Sequence, residues 1–176
     1  MTSQIFKQRV ATIVLFCMAA LTMNAQTTSM KELLDQSLSK VGQPTPEACL
    51  NCIAELKRID AMFPDSIQPK YLTALQCLNF AVMNPHHEQA ENALEEARQV
   101  ITKMEGMKNA DASDICTLTG FLYMVRIVQD PANNGQKYYI DVLQNYEKAL
   151  KINPNNMLAR QLQEKFLEGM RQATGM

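Results

Sequence analysis

Residues 115–156 read ICTLTGFLYMVRIVQDPANNGQKYYIDVLQNYEKALKINPNN, and this stretch decides the fold. Its second half places Val142, Tyr146, Ala149 and Leu150 at i, i+4, i+7 and i+8, one apolar stripe on a helix. Its first half does the same with Leu118, Phe121, Leu122, Val125 and Val128. Pro154 stops the second helix because its ring cannot continue the backbone hydrogen bonding. Between the stripes, Asp130-Pro-Ala-Asn-Asn-Gly135 has the composition of a polar turn. The pattern predicts a helical hairpin, and Gly120 would allow a neighbouring helix to approach closely. Two amphipathic helices cannot cover both apolar faces alone, so the hairpin must stack on others.

The flanking sequence supplies the others. Downstream, Leu158, Leu162, Phe166 and Leu167 predict a last helix from Met157 to about Met170. Upstream, four more helical patterns appear. Met30–Val41 ends at Gly42, and a second helix starts at the cap Thr45 with Pro46 in its first position and runs to Pro64. Ser66–Met83 and His87–Met104 follow, the latter after Asn84-Pro85. A looser joint, EGMKNADAS, leads to an expected cap at Ser113 or Asp114 of the opening hairpin. The expectation is an all-α chain of about seven helices, antiparallel hairpins stacked as a short α-solenoid, without a strand.

Composition agrees. The 176 residues are 47% hydrophobic and 20% charged, with six glycines and no tryptophan, which suits one helical domain with a sizeable core. The first 25 residues are set apart from it. Lys7 and Arg9 precede an apolar run, Val10–Leu21, too short for a permanent membrane span, and TMNAQ follows it. This is the anatomy of a cleavable signal peptide, with the cut expected after Ala25. The mature domain is then 26–176, periplasmic, with no integral span. Phe16 stands where a lipobox needs a small residue before Cys17, so a lipoprotein is not expected. Residues 1–25 carry two bases and no acid. Their loss turns 17 basic and 18 acidic residues into 15 and 18, a net charge near −3. No basic tract remains, which argues against nucleic acid as a partner.

Ala90, Leu94 and Ala97 share a spacing with Val142, Tyr146 and Ala149, and Cys52, Leu56 and Ile59 follow it loosely. With these, YEKALKINPNN (Tyr146, Ala149, Leu150, Pro154) and LTGFLY (Leu118, Gly120, Tyr123) resemble the second and first helices of a tetratricopeptide repeat. The whole of 115–160 is similar to exported tetratricopeptide-like proteins of the Bacteroides group. The 34-residue spacing is not kept, and DPANNGQKYY adds about a turn and a loop between the halves. The resemblance implies a protein- or peptide-binding module in the cell envelope, without a reaction.

Residue chemistry leaves three places to consider. Cys49-Leu-Asn-Cys52 lies near a helix start, where thiolates are favoured, so a redox pair is one reading and core packing or a local disulfide the plainer one. Cys77 and Cys116 bring the mature cysteines to four, whose three pairings the spacing leaves open. A thiol-active protein using Cys49 and Cys52 is thus the alternative function. His87 and Glu91 share a helix face, but no third ligand accompanies them and no metal is expected. Glu88, Glu91, Glu95 and Glu96 read as an outer face, with Arg98 among them. The remaining candidate is the joint itself: Tyr138 and Tyr139 cannot both face inward, so either they form a binding surface with Asn133 and Asn134 or one ring staples the loop onto the helix. No phosphate loop, nucleophile elbow or His-Glu-x-x-His is present, and neither catalysis nor a cofactor is expected.

Overall fold

The computed structural model describes residues 29–42 and 45–174, so the expected signal peptide, with Cys17, lies outside the described residues. Seven α-helices follow one another: α1 Met30–Ser39, α2 Pro46–Met62, α3 Ile67–Met83, α4 Ala90–Glu105, α5 Ala112–Gln129, α6 Pro131–Ile152 and α7 Met157–Thr174. No strand occurs among the described residues, and none of their helices is long and apolar enough to cross a membrane. The fold is all-α, built of helical hairpins.

The helix starts show which local signals prevail. Ser29 and Glu32 form a reciprocal capping box on α1 (3.3 and 2.9 Å). Thr45 accepts from the Ala48 amide at 3.2 Å, with Pro46 in the first turn as its sequence predicts. Helix α4 begins at Ala90, not at His87. The His87 Nδ1 accepts from the Gln89 amide at 3.0 Å and holds residues 85–89 in a turn. The cap of α5 is Asp111, not Ser113 or Asp114. Its carboxylate takes both of their amides, at 2.7 and 3.2 Å, and this frees the Ser113 hydroxyl for other use.

The largest correction falls on the joint of the opening hairpin. Helix α5 ends at Gln129 and α6 begins at Pro131, so Asp130 alone connects them. Asn133 and Gly135 belong to the first two turns of α6. A proline in the first position and an aspartate cap (Asn133 amide to Asp130 Oδ1, 3.2 Å) outweigh the turn preference of Asn and Gly. The extra turn expected between the halves is there, but as helix, and the loop is not.

Helices α5 and α6 share the most extensive contact in the chain, with α3 and α4 next. Helix α3 also meets α5, and α5 meets α7. Ser113 pairs with Ala149, Gly120 with Tyr146 and Tyr123 with Tyr138, so α5 and α6 run antiparallel. Leu118, Phe121, Leu122 and Val125 are buried as their spacing predicts, but Val128 remains 39% exposed near the end of its helix. Gly120 acts as its position suggests: a Cβ there would lie 2.8 Å from Cε1 of Tyr146, a ring with no exposed surface. A second, smaller core under α1 joins Leu34 to Cys52, Leu56 and Ile59. Between α2 and α3 the buried Lys70 ammonium donates to Asp60 Oδ1 (2.6 Å) and to the carbonyl of Pro64 (2.5 Å). A lysine can be buried at that turn because its charge is paired and its donors are used.

Candidate functional site

Helix α7 is tied down at one end. Asn156 caps it by accepting from the Ala159 amide at 3.0 Å. Its side-chain nitrogen donates to Ser113 Oγ (2.9 Å), Thr117 Oγ1 (3.1 Å) and Asp114 Oδ1 (3.2 Å). Ser113 passes the chain on to the carbonyl of Ala149 at 2.9 Å. One buried asparagine thus joins α5, α6 and α7, and among the described residues no buried side-chain N or O lacks a partner. Pro154 as the helix stop leaves Asn156, two residues on, without a role. The position of Asn156 just ahead of an apolar helical pattern is the N-cap signal that would have found it.

From that anchor α7 runs back along α6. Ala159, Leu162 and Phe166 are buried, and the Phe166 ring meets Tyr139 with centroids 5.6 Å apart. Past this pair the two helices leave a groove of about 1030 Å³. Gly135, Tyr139 and Ile140 form part of one wall, and Glu164, Leu167 and Met170 part of the other. The cause is local. Ala132 and Gly135 are small, and nothing lies within 4 Å of a Cβ placed on Gly135. Ile140 is 61% exposed and Leu167 39%. The lining is largely apolar, with charge at Glu164 and Arg171.

The four residues expected to bind a partner are divided between different tasks. Tyr139 lines the groove. Tyr138 points elsewhere and stacks on Tyr123, with centroids 5.2 Å apart and the Lys137 ammonium 4.7 Å from its centroid. Asn133 donates to the Asp130 carboxylate at 2.7 Å, and Asn134 to the Arg126 carbonyl at 2.8 Å. The asparagines therefore secure the α5–α6 joint. Tyr138 and Tyr123 also border a hollow of about 350 Å³ with Arg98 and Arg126. Arg126 holds both oxygens of Glu91 at 2.8 Å, and Arg98 hydrogen-bonds Glu95 and brings its carboxyl down to about 2.

Cys49, Cys52, Cys77 and Cys116 are free, buried thiols. Cys49 and Cys77 sit in the main core, Cys52 in the small core under α1, and Cys116 beside Ala149 and Ala159. Burial pushes all four thiols up, Cys77 to about 12. That direction is opposite to what an attacking thiolate requires. The Cys52 Sγ lies 3.7 Å from Ser37 Oγ, an interaction that lowers its pKa less than burial raises it. The His87–Glu91 pairing is not assembled either, because His87 packs edge-on to Phe80 and Glu91 holds Arg126. Among the described residues no three His, Cys, Asp or Glu side chains group as metal ligands.

No protein-family model matches the chain, and no curated protein or solved structure does either.

Proposed function

We propose that the protein is a periplasmic, tetratricopeptide-like docking module of the cell envelope, a short solenoid that binds protein and carries out no chemical step. The observation that carries this reading is the α6–α7 groove, an apolar cleft with a tyrosine in its wall. Contiguous apolar surface of this kind marks an interaction site more often than a bare surface. Its walls are two helices, which suits a helical segment laid along them. Export rests on the basic, apolar and small-residue order of residues 1–25. The alternative thiol activity finds no support in four buried thiols with raised pKa values.

The experiment is a photocrosslinker placed at Ile140 in the native envelope. We expect a discrete covalent adduct with a protein, lost when Tyr139→Ala is combined with Leu167→Asp while the helical circular dichroism persists. Absence of any discrete adduct would remove the docking reading.

A further inference from the structure

We infer that the occupant of this groove is a second copy of the chain, with the two α7 helices antiparallel across a two-fold axis beside Leu167. The inference rests on the docking reading above and names the partner. It starts from the order of side chains on α7. Glu164, Leu167 and Arg171 all line the groove, and their spacing of i, i+3 and i+7 puts them in one stripe. An acid and a base thus bracket a leucine that is 39% exposed.

That order is complementary to itself in one orientation only. A two-fold axis between residues 167 and 168 sets Glu164 of one copy beside Arg171 of the other. Symmetry makes this contact twice and brings the two Leu167 side chains together at the centre. A parallel arrangement would oppose Glu164 to Glu164 and Arg171 to Arg171. The guanidinium has five donors, so the intermolecular pair adds to the contacts Arg171 already makes. The wall is also prepared for an incoming helix: Gly135 leaves its side of the groove open, and Ile140 stands 61% exposed beside it. Of the exposed large apolar residues, Ile140 and Leu167 face each other across this groove, while Met62, Met83, Val128, Ile152 and Met157 lie away from it. A second copy presents to this groove a helix carrying the same acid–leucine–base order.

Sedimentation equilibrium of the mature chain, residues 26–176, tests the inference. We expect a reversible monomer–dimer equilibrium that Leu167→Asp abolishes. Glu164→Arg and Arg171→Glu should each raise the dissociation constant on the order of tenfold, since each disturbs two exposed pairs. Combining the two reversals should bring it back towards the parent value, which a general loss of structure would not do. A chain that is monomeric at every concentration overturns the inference, as does a dimer indifferent to these substitutions. A monomer whose Ile140 crosslinks to a different envelope protein overturns self-association and leaves the docking reading standing. A groove with no adduct at all ends both.

Discussion

Two glycines on the facing helices of one hairpin have opposite surroundings. Gly120 of α5 lies under the Tyr146 ring, and a Cβ there would come within 2.8 Å of it. Gly135 of α6, near the other end of the hairpin, has nothing within 4 Å. Both are small residues in helix interiors, and both cost the helix some intrinsic stability relative to alanine. At Gly120 a large, fully buried side chain uses the space, so the helices close. At Gly135 nothing of the kind arrives, and the same smallness leaves a groove. A small residue brings helices together only where the opposite helix supplies something to fill the gap. The two ends of α6 therefore differ in packing: the Tyr146 end is closed, and the Gly135 end borders an open groove.

The strongest test of this division is Tyr146→Ala. Removing a fully buried aromatic ring should cost about 3–5 kcal/mol, read as a shift of the midpoint in denaturant unfolding. The ring's hydroxyl reaches only the Met124 sulfur at 3.8 Å, so most of the loss is packing. A cost below about 1 kcal/mol would mean that the closed end is as loose as the open one, contrary to the values for buried aromatic residues.

The closed end was the more legible of the two in the amino-acid sequence, and for a physical reason. Leu118, Phe121, Val142 and Tyr146 announce themselves by spacing along single helices, and Gly120 sits in the middle of one such stripe. The joint was misread because Asn133, Asn134 and Gly135 favour turns in isolation, whereas Asp130 and Pro131 together start a helix. The Asn156 network was out of reach for a different reason. Asn156 meets Ser113 and Thr117 across 43 and 39 residues, and no local pattern encodes that proximity. Likewise the divergence of Tyr138 from Tyr139 follows from helix geometry, but their partners Tyr123 and Phe166 come from tertiary packing. The groove is legible least of all, since it consists of what fails to stand opposite Ala132 and Gly135.

Alanine at the two glycines separates the ends by sign. Gly120→Ala should destabilise by about 1–3 kcal/mol, because overpacking against the Tyr146 ring exceeds the gain in helix propensity. Gly135→Ala should stabilise by roughly 0.5–1 kcal/mol, since its new methyl meets open space in a helix interior. Thermal or denaturant unfolding of the two variants measures both. Equal signs would show that the contrast between the glycines has no energetic content, whatever the shape of the groove.

The smallest effect concerns the carboxyl group built into the closed end. Burial raises the Asp114 pKa, the nearby Asp111 charge raises it further, and the Asn156 hydrogen bond opposes them. The folded chain therefore holds the Asp114 proton more readily than the unfolded chain. The sign follows: this group's contribution is most favourable below the ordinary aspartate range and is lost as pH rises through the elevated folded value. Asp114→Asn removes the titration and retains an oxygen able to accept from Asn156. Its absolute stability also reflects loss of a first-turn carboxylate, which a helix N-terminus favours by about 0.3–1 kcal/mol. The informative quantity is therefore the change with pH. Relative to the variant, the parent should gain stability on going from pH 7 towards pH 4, by less than either glycine effect. A gap that moves the other way would show that the Asn156 hydrogen bond and the helix terminus dominate, so that the closed end stabilises the Asp114 charge.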